Sequence, residues 1–534
     1  MGPLGLLQFG IGIALVVIAW LLPRHIAGAR RAAMAVLLLD AAPLALGAAL
    51  LGLATGRPLF AGLIIVALGA GFSLADYTMR QTLREPVVFS ESVELLQVFS
   101  HPHLYLPFAG PGLVLGGAAA VVSLAVALLV FEPPLWRPHP GAALIAVALI
   151  AAGAWLIGRE RLLATAAGAA RRLRPSGEPF EDAAALGPFA MLLVHMLIAR
   201  AERPARRRAL AAPALLGERR TNAVPIVLVQ CESFFDARRL GPPIAPNLLP
   251  GFDDCRAGAA LSGRLEVPGW GANTMRSEFA VLTGIPESEL GYDRFNPYYA
   301  LARVPIASQV WRLRQAGYRT ICLHPFDRRF FRRDLAMPAL GFDTFLDHKA
   351  LGGSRRPPYW SDPDLAHQVL RVLDEAGPRS FIFVITMGNH GPWLAEGPPI
   401  DPRVAGLFDA AAVPEGRALQ RYLDGLRRSD EMLGILMSGL ERRRDGAILG
   451  FYGDHLPSLP RAFEHFGFTE PHSDYVIWPQ GATPSLRCDL AAHRLGRLIV
   501  DRVLGDEPGS PADAGVSDPG STKIRRALAT PGQD

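Results

Sequence analysis

Five long apolar runs fill the first 157 residues, and they constrain the fold more than any other feature of the chain. They are Leu4–Leu22, Ala33–Leu53, Pro58–Leu74, Phe108–Phe131 and Ala142–Ile157. Each approaches the roughly 20 residues that an α-helix needs to cross a hydrocarbon core. The first run alone also fits a signal peptide; the runs behind it favour a retained helix. Composition agrees, because a chain of 534 residues that is half hydrophobic is too apolar for an ordinary soluble protein. The expected layout starts with a membrane domain of about five helices over 1–158. Asp40 lies inside the second run. A carboxylate at that depth is either functional or half of a pair across the bundle. Between runs three and four, Asp76–Pro107 is long enough for a short interfacial helix.

Residues 159–220 read as an Arg-rich juxtamembrane linker. Leu186–Ala199 is a short sixth apolar segment, containing Pro188 and His195 and flanked by Arg200–Arg208. It fits either a crossing or an interfacial helix. The sequence argues with itself over orientation. Arg159, Arg161, Arg171, Arg172 and Arg174 follow the fifth run, and the positive-inside rule would keep them cytoplasmic. A sixth crossing would reverse the side of everything after it. All but two of the cations are Arg, the exceptions being Lys349 and Lys523, so a general Arg bias weakens the rule here. The net charge of +5 suits an anionic membrane surface. No basic-aromatic pattern points to nucleic acid. Cys231, Cys255, Cys322 and Cys488 are scattered, without a C-x-x-C pair for zinc or redox work.

The character changes near Thr221. Pro225–Gln230, Arg319–Leu323, Phe381–Thr386 and Ala447–Tyr452 are short apolar, β-branched runs. Helical patterns alternate with them at Ile306–Ala316, Leu365–Glu375 and Leu419–Arg442. Asp362-Pro363 reads as an N-cap followed by Pro at the first helical position. Such alternation predicts an α/β domain with a largely parallel sheet over 221–504. Ligand sites in these sheets gather at the carboxyl ends of strands. The tail 505–534 is rich in Pro, Gly, Ser and Asp and reads as disordered.

Three of the strand-like runs end in residues suited to chemistry. One ends in Glu232, one in Asn389-His390-Gly391, and the last in Gly453-Asp454-His455. Between them Gly269-Trp270-Gly271-Ala272-Asn273-Thr274 runs into a helix pattern. A helix start supplies unpaired N–H groups and partial positive charge, which suits a hydroxyl nucleophile or the phosphate it attacks. A plain N-cap is the alternative for Thr274. Glu232, Asp454, His455 and the Thr274 oxygen together make a four-ligand set dominated by hard oxygen donors. That set suits one divalent ion, Mn²⁺ or Mg²⁺, with Zn²⁺ as a further candidate.

Five motifs in order carry a resemblance: Glu232-Ser233-Phe234, Thr274-x-x-Ser277-Glu278-Phe279, Phe330-Phe331-Arg332-Arg333-Asp334, Asn389-His390-Gly391-Pro392 and Tyr452-Gly453-Asp454-His455. Over about residues 221–500 the chain resembles the lipoteichoic acid synthase and phosphoglycerol transferase family, within the sulfatase/alkaline-phosphatase superfamily. The resemblance implies an α-helical transmembrane domain followed by a sulfatase-like α/β domain outside the cytoplasmic membrane. It implies Mn²⁺ on Glu232, Thr274, Asp454 and His455, with Thr274 as nucleophile. Arg333 and His390, with Phe331 beside the arginine, would hold the phosphoglycerol group. The family pattern has Trp where this chain has Phe331, and often Asn where it has Arg332; these departures leave headgroup and acceptor open.

The implied reaction moves glycerol phosphate from phosphatidylglycerol, through a covalent threonine intermediate, to an envelope glycan or glycolipid. Arg333 offers forked donors to phosphate, and His390 can donate a hydrogen bond or carry a proton. A phosphoethanolamine transferase, or a sulfatase-like phosphodiesterase, is the alternative within the superfamily. A type I sulfatase would need a C/S-x-P-x-R motif, and no cysteine here begins one. A non-catalytic membrane sensor would be expected to lack a ligand position, and none is missing.

Overall fold

The computed structural model describes residues 2–92, 100–102, 107–108, 110–212, 224–241, 244–302, 304–353, 360–397, 399–406, 408–479 and 486–505. The expected domain start at Thr221, part of the 76–107 loop, and the tail 506–534 lie outside them. The chain divides into two compact units, Met1–Ala205 and Arg206–Asp534.

Among the described residues, five helices of the first unit are long and apolar enough to cross a membrane: α1 (Pro3–Ile26), α2 (Met34–Thr55), α3 (Pro58–Thr82), α4 (Pro111–Phe131) and α5 (Pro140–Ile157). They coincide with the five runs, and α3 takes in the first residues of the expected loop. Asp40 is half of a pair. Its Oδ2 accepts from Arg24 Nη1 and from Trp20 Nε1, both at 2.8 Å. Its Oδ1 accepts the N–H groups of Phe189 and Ala190, at 2.9 and 3.0 Å. One carboxylate therefore answers the Arg24 charge and caps the helix Pro188–Ala209. The sixth segment is not one helix over Leu186–Ala199. Leu186 closes the short helix Pro179–Leu186, Gly187 turns at φ +91°, and Pro188 opens the next.

The second unit is built on one sheet, nine-stranded among the described residues. Its strands are β1 (Ile226–Cys231), β2 (Leu261–Glu266), β3 (Arg319–Leu323), β4 (Thr344–Leu346), β5 (Ser380–Ile385), β6 (Ile448–Gly453), β7 (His472–Pro479), β8 (Leu486–Arg487) and β9 (Leu490–Ala491). The order is β4-β3-β5-β1-β6-β7-β2-β8, with β9 also on β2. The first five strands are parallel, whereas β7 runs antiparallel to both β6 and β2. The four strands read from apolar runs, β3, β5, β1 and β6, are four neighbours among the five of the parallel part. They are covered on both faces, which is why they read as continuous apolar runs rather than alternating ones. β2 (LSGRLE) lacks such a run and carries no periodic signal of its own.

One boundary differs from expectation. The cap of the helix Asp362–Ala376 is Ser361, whose hydroxyl accepts the Asp364 N–H. Asp362 is the first helical residue, and its carboxylate points into the core instead.

Candidate metal centre and active site

The sheet register makes the centre. β1 and β6 lie side by side with Cys231 paired to Gly453. The next residue of each strand, Glu232 and Asp454, therefore leaves the sheet at the same level. His455 follows at once, and one ligand atom from each of Glu232, Asp454 and His455 falls within 4.8 Å of the others. All three are buried.

Hydrogen bonds orient each group. Asp454 Oδ1 accepts the backbone N–H groups of Ser233 and His455, at 2.8 and 2.9 Å. Asp454 Oδ2 is buried and has no hydrogen-bond partner among the described residues. His455 Nδ1 lies 2.9 Å from the Leu456 carbonyl. A carbonyl only accepts, so Nδ1 carries the proton and Nε2 presents a lone pair. That lone pair lies 3.4 Å from Glu232 Oε1 and 3.3 Å from Asp454 Oδ2. Burial, and then the Asp454 charge, push the Glu232 carboxyl up to about 8. Ser233 Oγ donates to Glu232 Oε1 at 2.9 Å, while Asp454 Oδ2 and the His455 Nε2 lone pair face each other at 3.3 Å with Oδ2 left without a donor, and a divalent cation would satisfy both. The residues fit a metal ion.

Thr274 comes to this cluster from the helix Thr274–Thr283. Its Oγ1 lies 3.5 Å from His455 Nε2. The helix cap is Asn273, in the left-handed region at φ +68° and without a side-chain cap bond. Thr274 is thus the first helical residue, not the cap. Ser277, one turn on, donates to the Asp454 carbonyl at 2.6 Å and ties the helix to the metal loop.

Arg333 reaches the same helix through Glu278. Its Nε and Nη2 donate to the Glu278 carboxylate at 2.8–3.2 Å, both side chains being buried. Its Nη1 lies 3.2 Å from His324 Nε2. Glu278 also accepts from Tyr298 and Gln230. Asp327, six residues before Arg333, pairs with Arg329 instead. Phe331 stands beside the arginine, with the guanidinium carbon 5.3 Å from its ring centre. Phe331 and Arg332 are both left-handed, at φ +53° and +56°. Two consecutive non-glycine residues in that region mark a strained turn, a feature that clusters at functional sites.

His390 lies on the loop after β5, which neighbours β1 on the side away from β6. Its Nδ1 donates to the Gly391 carbonyl at 2.6 Å, so Nε2 is the nitrogen that exchanges protons. Burial lowers its pKa, against the pull of Asp454 and with the push of Arg333.

Sequence reasoning missed His324 and the partner role of Glu278. His324 follows β3 as Glu232 follows β1 and is fully buried. Its Nδ1 donates to the Ile385 carbonyl, so its Nε2 accepts from Arg333; burial and the Arg333 charge hold it well below the usual histidine range. The residue after each central strand is the signal that would have found it.

Residues 226–494 match the family model described as sulfatase. The chain belongs to the sulfatase family. It is an enzyme of that superfamily, with apolar helices ahead of a mixed, mostly parallel α/β domain. This sulfatase-family chain is 31% identical over 443 residues to the capsular polysaccharide biosynthesis protein RkpI of Rhizobium meliloti, covering 79% of this chain and 78% of that one. It is 29% identical over 246 residues to a putative cyclic beta-1,2-glucan modification protein of Rhizobium meliloti, covering 46% and 37%. Among solved structures, the lipooligosaccharide phosphoethanolamine transferase EptA of Neisseria meningitidis matches at 13% identity with a TM-score of 0.47, covering 84% of this chain and 88% of that one.

Proposed function

We propose that this enzyme is a membrane-bound, metal-dependent phosphoglycerol transferase that uses phosphatidylglycerol as donor and an envelope glycan or glycolipid as acceptor. The observation that carries the reading is the placement of Thr274 Oγ1 at a helix start, 3.5 Å from the lone pair of His455. Glu232, Asp454, His455 and Thr274 would hold one divalent ion, for which we favour Mn²⁺ over Mg²⁺ or Zn²⁺. Such an ion lowers the pKa of a coordinated hydroxyl and neutralises phosphate charge.

The chain's own groups then divide the work. Thr274 Oγ1, as alkoxide, attacks phosphorus and forms the new P–O bond. The P–O bond to diacylglycerol breaks, and His390 Nε2 delivers a proton to the leaving oxygen. In the second half an acceptor hydroxyl attacks the same phosphorus while neutral His390 takes its proton, and the Thr274 oxygen leaves. Arg333 keeps N–H donors beyond those given to Glu278 and His324 for phosphate oxygens. Phe331 walls the glycerol side.

The glycan acceptor is supported by the RkpI relative, named for capsular polysaccharide biosynthesis. We place the catalytic domain outside the cytoplasmic membrane, with five crossings, the amino terminus inside and the Leu186–Ala199 stretch in the interface. A fused reporter after Gly505 that works only when exported should be active; activity of a cytoplasm-only reporter there rejects this orientation. The function is tested by intact-mass analysis after exposure to phosphatidylglycerol. The expected result is one phosphoglycerol adduct, mapped to Thr274. An adduct formed only from phosphatidylethanolamine would replace the donor, and none from either would remove the covalent mechanism.

A further inference from the structure

The carboxylate of Asp362 has left the capping position its sequence suggests, and its partners explain why. It is 1% exposed. Oδ1 accepts the N–H of Gly388 at 3.2 Å, and Oδ2 accepts the hydroxyl of Ser429 at 2.6 Å. Ser429 is fully buried on the long helix Gly416–Glu441. Gly388 sits two residues before His390. A Cβ there would run into Asp362 Oδ1 and come within 3.1 Å of the Asp362 backbone nitrogen, so the loop rests directly on the start of the helix Asp362–Ala376. The rest of the loop is fixed from the same side. Asn389 is buried, takes the Trp393 indole N–H on Oδ1 at 3.1 Å, and lies against Gly425 of the long helix. The His390 N–H closes the turn on the Met387 carbonyl at 3.2 Å.

We propose that Asp362, oriented by Ser429, is a positioning residue for His390. It pins the loop Met387–Gly391 from behind, through the Gly388 N–H, so that His390 Nε2 keeps one place in the site. The hydrogen bonds of Asp362 go to the loop and to Ser429, not to a candidate metal ligand or to Thr274; Ser429 also meets the Cys231 thiol, one residue before Glu232. Asp362 acts only through the loop. The inference rests on the reading of His390 as a proton-carrying group of the transferase.

The test is a double-mutant cycle on the full-length protein, assayed with phosphatidylglycerol vesicles and with bis(4-nitrophenyl) phosphate as a plain diester. Displacing a proton carrier by about 1 Å costs on the order of a hundredfold. Asp362→Ala should therefore lower kcat by about ten- to a hundredfold, with KM and bound metal near the wild-type values. Asp362→Asn keeps an oxygen for the Gly388 N–H and should restore most of the rate. In a His390→Ala background the Asp362→Ala loss should vanish, because the group it positions is gone. The same factor lost in both backgrounds overturns the proposal and leaves Asp362 as a packing residue. If Asp362→Ala does not fold, Ser429→Ala carries the same cycle. Hydrogen exchange supplies a readout without turnover: the 387–391 peptide should exchange faster in Asp362→Ala while the Thr274 peptide does not. Unchanged exchange at 387–391 also overturns it. Turnover of the plain diester with no diacylglycerol from phosphatidylglycerol would reject the donor while the cycle remains readable.

Discussion

Glu278 and Arg333 form a buried two-point ion pair, with Arg333 Nη2 2.8 Å from Glu278 Oε2 and Nε 3.0 Å from Oε1. The pair joins the helix that starts at Thr274 to the strained turn at Phe331–Arg332. Thr274, the proposed nucleophile, and the guanidinium are thus set relative to each other by one carboxylate, one helical turn beyond Thr274. Removing one partner of such a pair strands a charge in the core, which costs about 3–5 kcal/mol, whereas replacing both by apolar groups is often neutral. Glu278→Ala should therefore melt well below wild type, and Glu278→Leu combined with Arg333→Met should recover most of the difference. Thermal unfolding of the purified variants checks this; a Glu278→Ala protein as stable as wild type would show that the pair contributes little.

The Glu232 carboxyl predicts a pH dependence of stability that metal should remove. Its folded pKa is about 8 against an ordinary 4.5, so the folded, metal-free protein holds this proton more tightly than the unfolded chain does. The resulting stabilisation is complete below the unfolded value and is lost as pH rises through the folded one. Chelator-treated wild type should lose thermal stability relative to Glu232→Gln as pH goes from about 5 to about 9. Divalent metal competes with the proton, so added Mn²⁺ should stabilise wild type more at the alkaline end. A wild-type minus variant difference that stays flat with pH would contradict this origin.

The sequence carried the centre of the site because the centre is local. Glu232, Asp454 and His455 stand just past apolar runs, and that position alone puts them at the carboxyl edge of a parallel sheet. Thr274 was legible from its Gly-rich approach. Pairings between distant segments were not legible. Nothing near His324 or Glu278 announces that both serve Arg333, since the contacts span nine and 55 residues of chain. Asp362 was misread for a related reason: Asp before Pro is a strong cap signal, and only the tertiary approach of Gly388 turns its carboxylate inward. The antiparallel pair β2 and β7 was missed because β2 (LSGRLE) has no apolar run, and its burial depends on β7 more than 200 residues further on. In the membrane unit, hydropathy located the five helices well, yet the partner of Asp40 depended on how α1 and α2 pack.

That partner yields the next prediction. Gly187 lies against the Arg24–Asp40 pair at φ +91°, and a Cβ there would collide with Asp40 Oδ2 and Arg24 Nη1. Gly187→Ala meets both a backbone and a steric penalty, so it should destabilise the detergent-solubilised protein about as much as Asp40→Ala. Combining them should cost less than the sum, because each breaks the same junction. Strict additivity of the melting shifts would mean that the glycine acts elsewhere.

The two half-reactions separate the roles of the site residues. Thr274→Ala should bind the lipid donor and release no diacylglycerol, because the attacking oxygen is gone; it should also weaken metal binding, since that oxygen is one of four candidate ligands. Arg333→Ala should remove the proposed phosphate contacts and leave the Thr274 hydroxyl in place. Charge-assisted hydrogen bonds contribute about 1.5–3 kcal/mol, so the donor KM should rise about ten- to a hundredfold. Its structural pair with Glu278 adds a stability loss, which melting curves run in parallel report separately. His390→Ala should keep the metal and slow kcat by about 10²–10⁴-fold. Without a glycan acceptor, water can take the acceptor's place, so slow release of glycerol phosphate should continue in wild type and be absent in Thr274→Ala. The measurement is diacylglycerol and glycerol phosphate release from labelled phosphatidylglycerol, with metal content determined on the same samples. Wild-type release by Thr274→Ala would return that threonine to an ordinary place in the first turn of its helix and move the nucleophile elsewhere in the Glu232–Asp454–His455 cluster.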